Sequence, residues 1–156
     1  MYVFDLDGTL ADIKHRLHYI MNEDGTKKEK PDWDSFYNQC INDMPIKNTI
    51  ELLKTLMQTQ CEILILTGRS DRVRNQTVQW FFNNIAPYIN RFNLIMRKDG
   101  DHRPDKIVKP ELLNNFFKNS NFEKEDVKII FEDRQSMVDT WRELGYTCFQ
   151  VNKGDY

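Results

Sequence analysis

The sequence predicts an α/β fold, with a parallel sheet of about five strands and helices on both faces. Short, continuously apolar runs recur along the chain, as expected of strands that are buried on both faces. Helical patterns with one apolar face separate these runs, and strands that alternate with helices form parallel sheets through right-handed crossovers. The five predicted strands are YVFDL, EILILT, FNLIMR, VKIIFED and TCFQVN.

Four helical patterns lie between these strands. PIKNTIELLKTLMQ places Pro45 at a first helical position, and SDRVRNQTVQWFFNNI offers Ser70 or Asp71 as its N-terminal cap. PELLNNFFKN is the third pattern, because Pro110 is expected to disturb a helix that begins earlier. RQSMVDTWRELG ends at Gly145, a favourable residue for a helix C-terminus.

The alternation is interrupted once, so the chain is predicted to form one domain, 1–156, with a small insertion at about 12–45. The insertion contains a charged loop, NEDGTKKEK, and a short predicted helix, DWDSFYNQCI. We expect it to form a small cap over the C-terminal ends of the strands, where ligands bind in open α/β sheets. Its apolar residues recur at helical spacing, which favours packing in a core over stacking on nucleic-acid bases. They are Trp33, Phe36, Tyr37, Cys40 and Ile41.

Composition limits the class of protein. The chain is 40% apolar and 29% charged, as in soluble globular proteins, and its formal net charge of −2 gives no overall attraction to nucleic acid or membranes. An anionic partner would therefore need a local basic cluster. No apolar run approaches the roughly 20 residues of a membrane-spanning helix. The three widely spaced cysteines fit buried thiols in a reducing compartment, so a cytoplasmic protein without a membrane partner is expected.

Polar and charged residues collect where the predicted strands end. For DLDG alone, a turn explains the two carboxylates as well as an active site does. Two other strands, however, also end in such residues, and carboxylates at one buried edge repel one another unless a cation lies among them. An active site is therefore favoured. The residues concerned are Asp5, Asp7, Thr67, Gly68, Arg69, Glu132 and Asp133.

The order of these motifs resembles the haloacid dehalogenase superfamily of phosphohydrolases. Asp-x-Asp-Gly-Thr is followed by Thr-Gly-Arg, a lysine and an acidic pair. GDHRPDKIVK and the C-terminal stretch from FEDRQSMVDTW to GDY further resemble the 3′-phosphatase domain of phage polynucleotide kinase-phosphatases. The resemblance covers nearly the whole chain, least well at 20–45, which is longer here. It implies a Rossmann-like sheet and a phosphatase acting on nucleic-acid ends.

Phosphoryl transfer explains why two aspartates would stand two residues apart. Asp5 is the expected nucleophile, which would form an aspartyl-phosphate, and Asp7 is the expected general acid and base. Gly8 would let the backbone turn so that both carboxylates reach one phosphate. The two roles need opposite protonation states. We expect a metal to lower the pKa of Asp5 and burial to raise that of Asp7.

The hard oxygen ligands suit Mg²⁺. The expected ligands are Asp5, the backbone carbonyl of Asp7 and Asp133, with Glu132 as a direct or water-mediated contributor. The superfamily resemblance often shows Asp where this chain has Glu132. Thr67 and the amides around Gly68 are expected to bind phosphoryl oxygens at a helix N-terminus.

Several cations are candidates for phosphate binding. The resemblance assigns the active-site lysine to Lys109, with Lys106 as the rival, although Lys109 could instead form an ordinary i, i+4 ion pair with Asp105. It also matches two arginines, Arg16 and Arg69, whose planar guanidinium suits phosphate oxygens. The other candidate substrate-binding residues are Arg103, Asp105 and Arg134.

Three classes of function stay open at this point. The first is a Mg²⁺-dependent phosphatase that removes a 3′-phosphate from a DNA or RNA end. The second is a phosphatase of nucleoside monophosphates or other small phosphomonoesters, and the third is a non-catalytic phosphate-binding module. The chain contains no G-x-x-x-x-G-K-[ST] sequence, so end repair would require a separate polynucleotide kinase or ligase as a partner.

Overall fold

A five-stranded parallel sheet forms the centre of the molecule. The computed structural model describes residues 1–86, 88 and 91–154. The order of the strands in the sheet is β5-β4-β1-β6-β7, and each neighbouring pair is parallel. All five predicted strands are present, and the predicted fold class is confirmed. Their bounds are β1 Tyr2–Phe4, β4 Ile63–Ser70, β5 Asn93–Arg97, β6 Ile129–Glu132 and β7 Cys148–Gln150.

The helices in the described part of the chain follow the predicted patterns except for α1, which was not predicted, and for the segments around two prolines. The helices are α1 Lys14–Leu17, α2 Trp33–Asn38, α3 Lys47–Met57, α4 Arg74–Ile85, α5 Asp105–Lys118 and α6 Gln135–Glu143. Pro45 was expected inside a helix, but it lies in a short strand before α3. A helix starting at Asp105 was not expected, yet α5 begins there and includes Pro110. A proline removes one backbone hydrogen bond, and the buried residues Val108, Lys109 and Leu113 anchor the helix on both sides of it.

Helices cover the sheet on both faces because the central strands carry apolar residues on both faces before their polar C-terminal ends. Residues from α3 and α4 pack on one face, against Phe4 and Ile65 of the sheet. Residues from α5 and α6 pack on the other face, against Val3 and Leu64. Successive side chains of a strand point to opposite faces of the sheet, so each strand contributes to two separate cores. Among the described residues no helix has the length and apolarity needed to cross a membrane.

The insertion leaves the sheet layer and returns to it at adjacent points. A two-residue strand, β2 (Ala11–Asp12), pairs antiparallel with β3 (Met44–Pro45). Between them, the cap has its own small core of Ile13, Ile20 and Phe36. The expected buried face of α2 is correct for Phe36 and for Cys40, which follows the helix. It is wrong for Trp33, whose exposed fraction is 40%, because this residue packs at the border of the cap core, against Phe36 and Tyr37.

Candidate active site

The candidate site lies where β4, β1 and β6 end. These three strands are neighbours in the sheet and run parallel, so the residues that follow them meet at one edge. The edge opens into a cleft of about 490 Å³ that is lined by Asp5, Asp7, Thr67 and Lys109, and by residues of the cap. The sequence-predicted strand ends are thus brought to one place.

A tight turn after β1 presents the two aspartates. The carbonyl of Leu6 accepts hydrogen bonds from the backbone N–H groups of Leu10 and Ala11, which returns the chain toward the cap. Gly8 has φ of 85°, a left-handed conformation that other residues adopt at a cost. The expected role of Gly8 in the turn agrees with this backbone.

Lys109 is the lysine that the fold places beside Asp5. Its Nζ atom donates to Asp5 Oδ1 at 2.7 Å and to Glu132 Oε2 at 2.8 Å, and the residue is 1% exposed. Lys106, the rival candidate, is exposed on the same helix. Lys109 bonds Asp5 and Glu132, whereas the Asp105 carboxylate is bound by arginines. Lys109 and Asp105 therefore do not form the i, i+4 ion pair with each other.

Three carboxylates lie close together here, two of them bonded to Lys109, and we call the four residues the acidic cluster. Asp5, Glu132 and Asp133 are all buried and can each offer one oxygen within 4.8 Å of the others. Burial, followed by the charge of Glu132, raises the pKa of Asp5 to about 7, although Lys109 opposes this shift. Burial likewise raises the pKa of Glu132. The Lys109 ammonium is thus insufficient to keep the pKa values of Asp5 and Glu132 in their usual range.

Asp7 lies in a second group of buried charges, which we call the arginine cluster. Arg16 donates to Asp7 Oδ1 at 2.7 Å, and Arg69 also pairs with this carboxylate. Although burial acts in the opposite direction, Arg69 and Arg16 hold the pKa of Asp7 well below its usual range. The expectation that burial would raise this pKa is therefore wrong for the structure as it stands, because two guanidinium groups outweigh the loss of hydration.

The fourth member of the arginine cluster, Asp43, was missed by sequence reasoning. Its side chain is fully buried and accepts from Arg16 Nε at 2.7 Å and from Arg69 at 2.8 Å. His15 lies 2.9 Å from the same carboxylate. The backbone carbonyl of Asp43 accepts from the indole of Trp80 at 2.7 Å, which fixes the end of the cap on α4. An aspartate just before the Met-Pro pair looks like an ordinary turn residue, so the sequence offered no signal.

Asp105, at the start of α5, joins the strand ends to the loop after β5. Its carboxylate pairs with Arg134 and with Arg97, a residue that was not singled out in the sequence. Arg97 also donates to the carbonyl of Gly68 at 2.9 Å. A Cβ atom at Gly68 would lie 2.5 Å from Asp105 Oδ1, so this position has no room for a side chain.

The expected helix N-terminus at Thr67 and Gly68 is not found. β4 continues to Ser70 with an irregular register against β5 after Thr67, and the regular helix α4 begins only at Arg74. The Thr67 hydroxyl is buried and accepts the backbone N–H of Arg69 at 3.1 Å. This bulge, rather than a helix end, turns the Arg69 side chain toward Asp7.

The remaining candidates lie at the rim of the cleft. Arg134 lines the cleft and is tied to Asp105. Arg103 is half-exposed and pairs with Asp101 and Glu111 at 2.8 Å each. At the opposite end of the chain, Gly154 packs directly against the Asp133 carboxylate. The last two residues of the GDY motif lie outside the described residues.

Comparison with known proteins agrees with this geometry. A family model for the phosphatase domain of polynucleotide kinase PNKP matches residues 19–156. A protein of Autographa californica nuclear polyhedrosis virus, named as a bifunctional polynucleotide kinase/RNA ligase, is 28% identical over 94% of this chain. The chain spans only 18% of that relative's length. The matched range of the family model begins after Asp5, Asp7 and Arg16.

Solved structures extend the likeness to that first segment. A chain of the Pnkp1/Rnl/Hen1 RNA repair complex superimposes on 99% of this chain with a TM-score of 0.73 and 29% identity, although this chain spans 43% of it. A Clostridium difficile protein named as a phosphatase shares the fold, with a TM-score of 0.67 over 96% of this chain, 83% of its own length and 19% identity. The chain therefore belongs to the family of polynucleotide kinase phosphatase domains, and it is a phosphatase of the haloacid dehalogenase type.

Proposed function

We propose that this phosphatase removes 3′-phosphate from nucleic-acid ends, with Mg²⁺ as cofactor and through an aspartyl-phosphate at Asp5. The observation that carries the proposal is the position of Asp5 at the end of the central strand, where Lys109 orients it within the acidic cluster and it faces the cleft. A carboxylate held in this way can attack phosphorus in line with the leaving oxygen.

The acidic cluster fits a divalent cation. Three buried carboxylates lie within reach of one ion, and burial, followed by the charge of Glu132, raises the pKa of Asp5 although Lys109 opposes the shift. Asp5, Asp133 and Glu132 would hold the ion by oxygen atoms, the donor type that Mg²⁺ prefers. Bound there, Mg²⁺ would neutralise charge on the phosphoryl oxygens and keep Asp5 ionised. The Asp7 carbonyl is the further ligand we propose.

The arginine cluster would bind the phosphate and control Asp7. A phosphate entering the cleft competes with Asp7 for Arg16 and Arg69, which suit phosphate oxygens. Release from these two cations raises the pKa of Asp7, so that it can protonate the leaving alcohol and later activate water. Thr67, Gly68, Asp105 and Arg134 would complete the binding surface, with Arg103 at its rim.

Nucleic acid is supported as the substrate by the family and by what the relatives are named for, which is polynucleotide kinase, RNA ligase and RNA repair. We therefore propose that the domain works with separate kinase and ligase activities, and the 156 residues contain no P-loop sequence that would supply the kinase. The alternative, hydrolysis of small phosphomonoesters such as nucleoside monophosphates, is favoured by the formal net charge of −2.

Phosphate release from a matched set of substrates tests the proposal. The set is a 3′-phosphorylated DNA oligonucleotide, its RNA counterpart, a nucleoside 3′-monophosphate and a nucleoside 5′-monophosphate, each with Mg²⁺ and with EDTA. We expect the oligonucleotides to be preferred and EDTA to abolish release. Preference for a monophosphate would assign the small-molecule class. Activity that survives EDTA would contradict the metal proposal.

A further inference from the structure

One aromatic residue of the cap lies in the cleft without being covered. Trp33, the first residue of α2, is 40% exposed, whereas the other two tryptophans, Trp80 and Trp141, are 0% and 1% exposed. Tryptophan is highly buried on average, so an exposed indole at the wall of a catalytic cleft needs an explanation.

Trp33 is connected to the catalytic carboxylates by direct contacts. Its ring packs edge-on against Phe36, with 5.6 Å between centroids. The Phe36 ring carries the guanidinium carbon of Arg16 at 4.1 Å, and Arg16 donates to Asp7 at 2.7 Å. Between a phosphate-binding Arg16 and a base-binding Trp33 there would therefore lie one side chain, Phe36. In a nucleotide, one sugar joins a phosphate to an aromatic base.

The indole is also held in a fixed orientation. It stacks on Tyr37, with 5.9 Å between centroids and 28° between the ring planes. Arg72, from the connection after β4, donates to the Trp33 carbonyl at 3.2 Å and pairs with Asp34 at 2.6 Å. A ring that is already ordered loses little conformational freedom when a second ring stacks on it.

Cationic side chains outnumber carboxylates in the lining of the cleft. Lys27, Lys28 and Lys98 line it with Trp33, as do the carboxylates of Asp34, Asp99 and Asp101. Within the described parts of the chain, no carboxylate lies within ion-pair distance of Lys27 or Lys98. A local basic wall in a chain of net charge −2 suits the backbone phosphates of a nucleic acid better than it suits a small phosphomonoester with a single phosphate.

We propose that Trp33 stacks on a base at the 3′ end of a single-stranded nucleic acid while the terminal phosphate lies at Asp5. This inference rests on the proposed function, and it makes Trp33 the residue that distinguishes nucleic-acid ends from small phosphomonoesters. The sequence pattern had favoured core packing for this residue. Base stacking on an aromatic side chain tolerates any base, so the subsite would not select sequence.

The test compares Trp33→Ala and Trp33→Phe with Phe82→Ala, a change at another exposed aromatic that lies on α4 outside the cleft lining. Each variant is assayed on a 3′-phosphorylated single-stranded oligothymidylate and on glycerol 2-phosphate, which has no ring. We expect Trp33→Ala to raise KM for the oligonucleotide about tenfold and to leave glycerol 2-phosphate hydrolysis unchanged. Trp33→Phe should lie between wild type and Trp33→Ala, and Phe82→Ala should match wild type.

A binding measurement separates this inference from the proposed function. Because Trp80 and Trp141 are buried, an oligothymidylate ending in a 3′-hydroxyl should quench wild-type fluorescence and leave Trp33→Phe nearly unchanged. Equal losses on both substrates in Trp33→Ala, or quenching that persists in Trp33→Phe, would overturn the stacking role. If wild type instead hydrolyses glycerol 2-phosphate as well as the oligonucleotide, the proposed function fails, whereas the quenching result still decides the role of Trp33.

Discussion

The acidic cluster and the arginine cluster lie side by side, yet their charges are balanced differently. In the arginine cluster, two guanidinium groups face the carboxylates of Asp7 and Asp43, so the buried charges compensate one another. In the acidic cluster, Lys109 bonds Asp5 and Glu132, yet burial still raises the pKa of both carboxylates. Buried carboxylates with raised pKa values mark a place where a cation is expected, whereas a compensated cluster marks a scaffold that a substrate must open.

The largest expected effect comes from removing the carboxylate at the centre of the acidic cluster. Asp5→Asn should lower phosphate release by about three orders of magnitude or more, because an amide cannot replace the nucleophile. The same change should raise the Tm of the metal-free protein, since it removes one of the crowded carboxylates. Asp139→Asn, a change at an exposed residue of α6, is the matched control. Activity near wild type in Asp5→Asn would refute the nucleophile assignment.

Removing a carboxylate from the compensated cluster should have a different signature. Asp43→Asn leaves two buried guanidinium groups against the single carboxylate of Asp7, and the free energy of unfolding should fall by about 3–5 kcal/mol. Because Asp43 also positions both arginines for phosphate binding, kcat/KM of Asp43→Asn should fall by about a hundredfold. Asp34→Asn, which breaks the exposed ion pair to Arg72, should change the unfolding free energy by less than about 1 kcal/mol. Denaturant titration of both variants measures the contrast, and equal losses would contradict it.

The two clusters should also respond to pH in opposite directions. The pKa of Asp5 rises from 3.8 to about 7 on folding, so the stability due to its proton is present below 3.8 and is lost as pH rises through 7. Asp7 has a lowered pKa, and its contribution is present above 3.8 and lost as pH falls. The Tm of the metal-free protein should therefore fall between about pH 4 and 7.

Mg²⁺ should reduce the fall in Tm with rising pH, because the cation replaces the proton on Asp5. The variant Asp5→Asn should reduce this fall even without Mg²⁺. Thermal unfolding at several pH values, with EDTA and with Mg²⁺, measures both effects. A Tm that is independent of pH in EDTA would mean that the acidic cluster does not hold excess negative charge.

The smallest effect is expected at the rim, outside both clusters. Arg103 is half-exposed, and ion pairs of this kind contribute about 0–1 kcal/mol. Arg103→Ala should therefore change kcat/KM on a 3′-phosphorylated oligonucleotide by no more than about threefold and leave Tm nearly unchanged. Steady-state kinetics at low and high salt would check this. A loss approaching that of Asp43→Asn would place Arg103 in direct contact with the phosphate.

The sheet and the strand-end residues could be predicted from the sequence because both depend on local patterns. A strand buried on both faces is apolar throughout, and parallel topology then brings Asp5, Thr67 and Asp133 to one edge whatever the details of packing. The structure around Pro45 and Pro110 was predicted wrongly because the local preference of proline does not decide it. Pro45 lies in a two-residue strand rather than in a helix. Helix α5 continues through Pro110 because buried residues anchor it on both sides.

The rest of the site depends on contacts between distant parts of the chain. Asp43 meets Arg16 and Arg69 across 27 and 26 residues, and only the path of the cap brings them together. Helical spacing showed that Trp33 shares a face with Phe36, but it could not show which part of that face the cap core would leave open. The protonation of Asp7 was mispredicted for the same reason, since its two arginines come from different elements.

The paired strands at the base of the cap make this insertion an exchangeable unit of the chain. Ala11 and Pro45 stand opposite each other, so segments of other lengths could be spliced between β2 and β3 without moving the sheet. Such an exchange would affect the chemistry, because Arg16, Asp43 and Trp33 all belong to the inserted segment. Replacing the cap with that of another protein would therefore change phosphate binding and substrate preference together. Asp5, Lys109 and Asp133 lie outside the cap and would be unchanged.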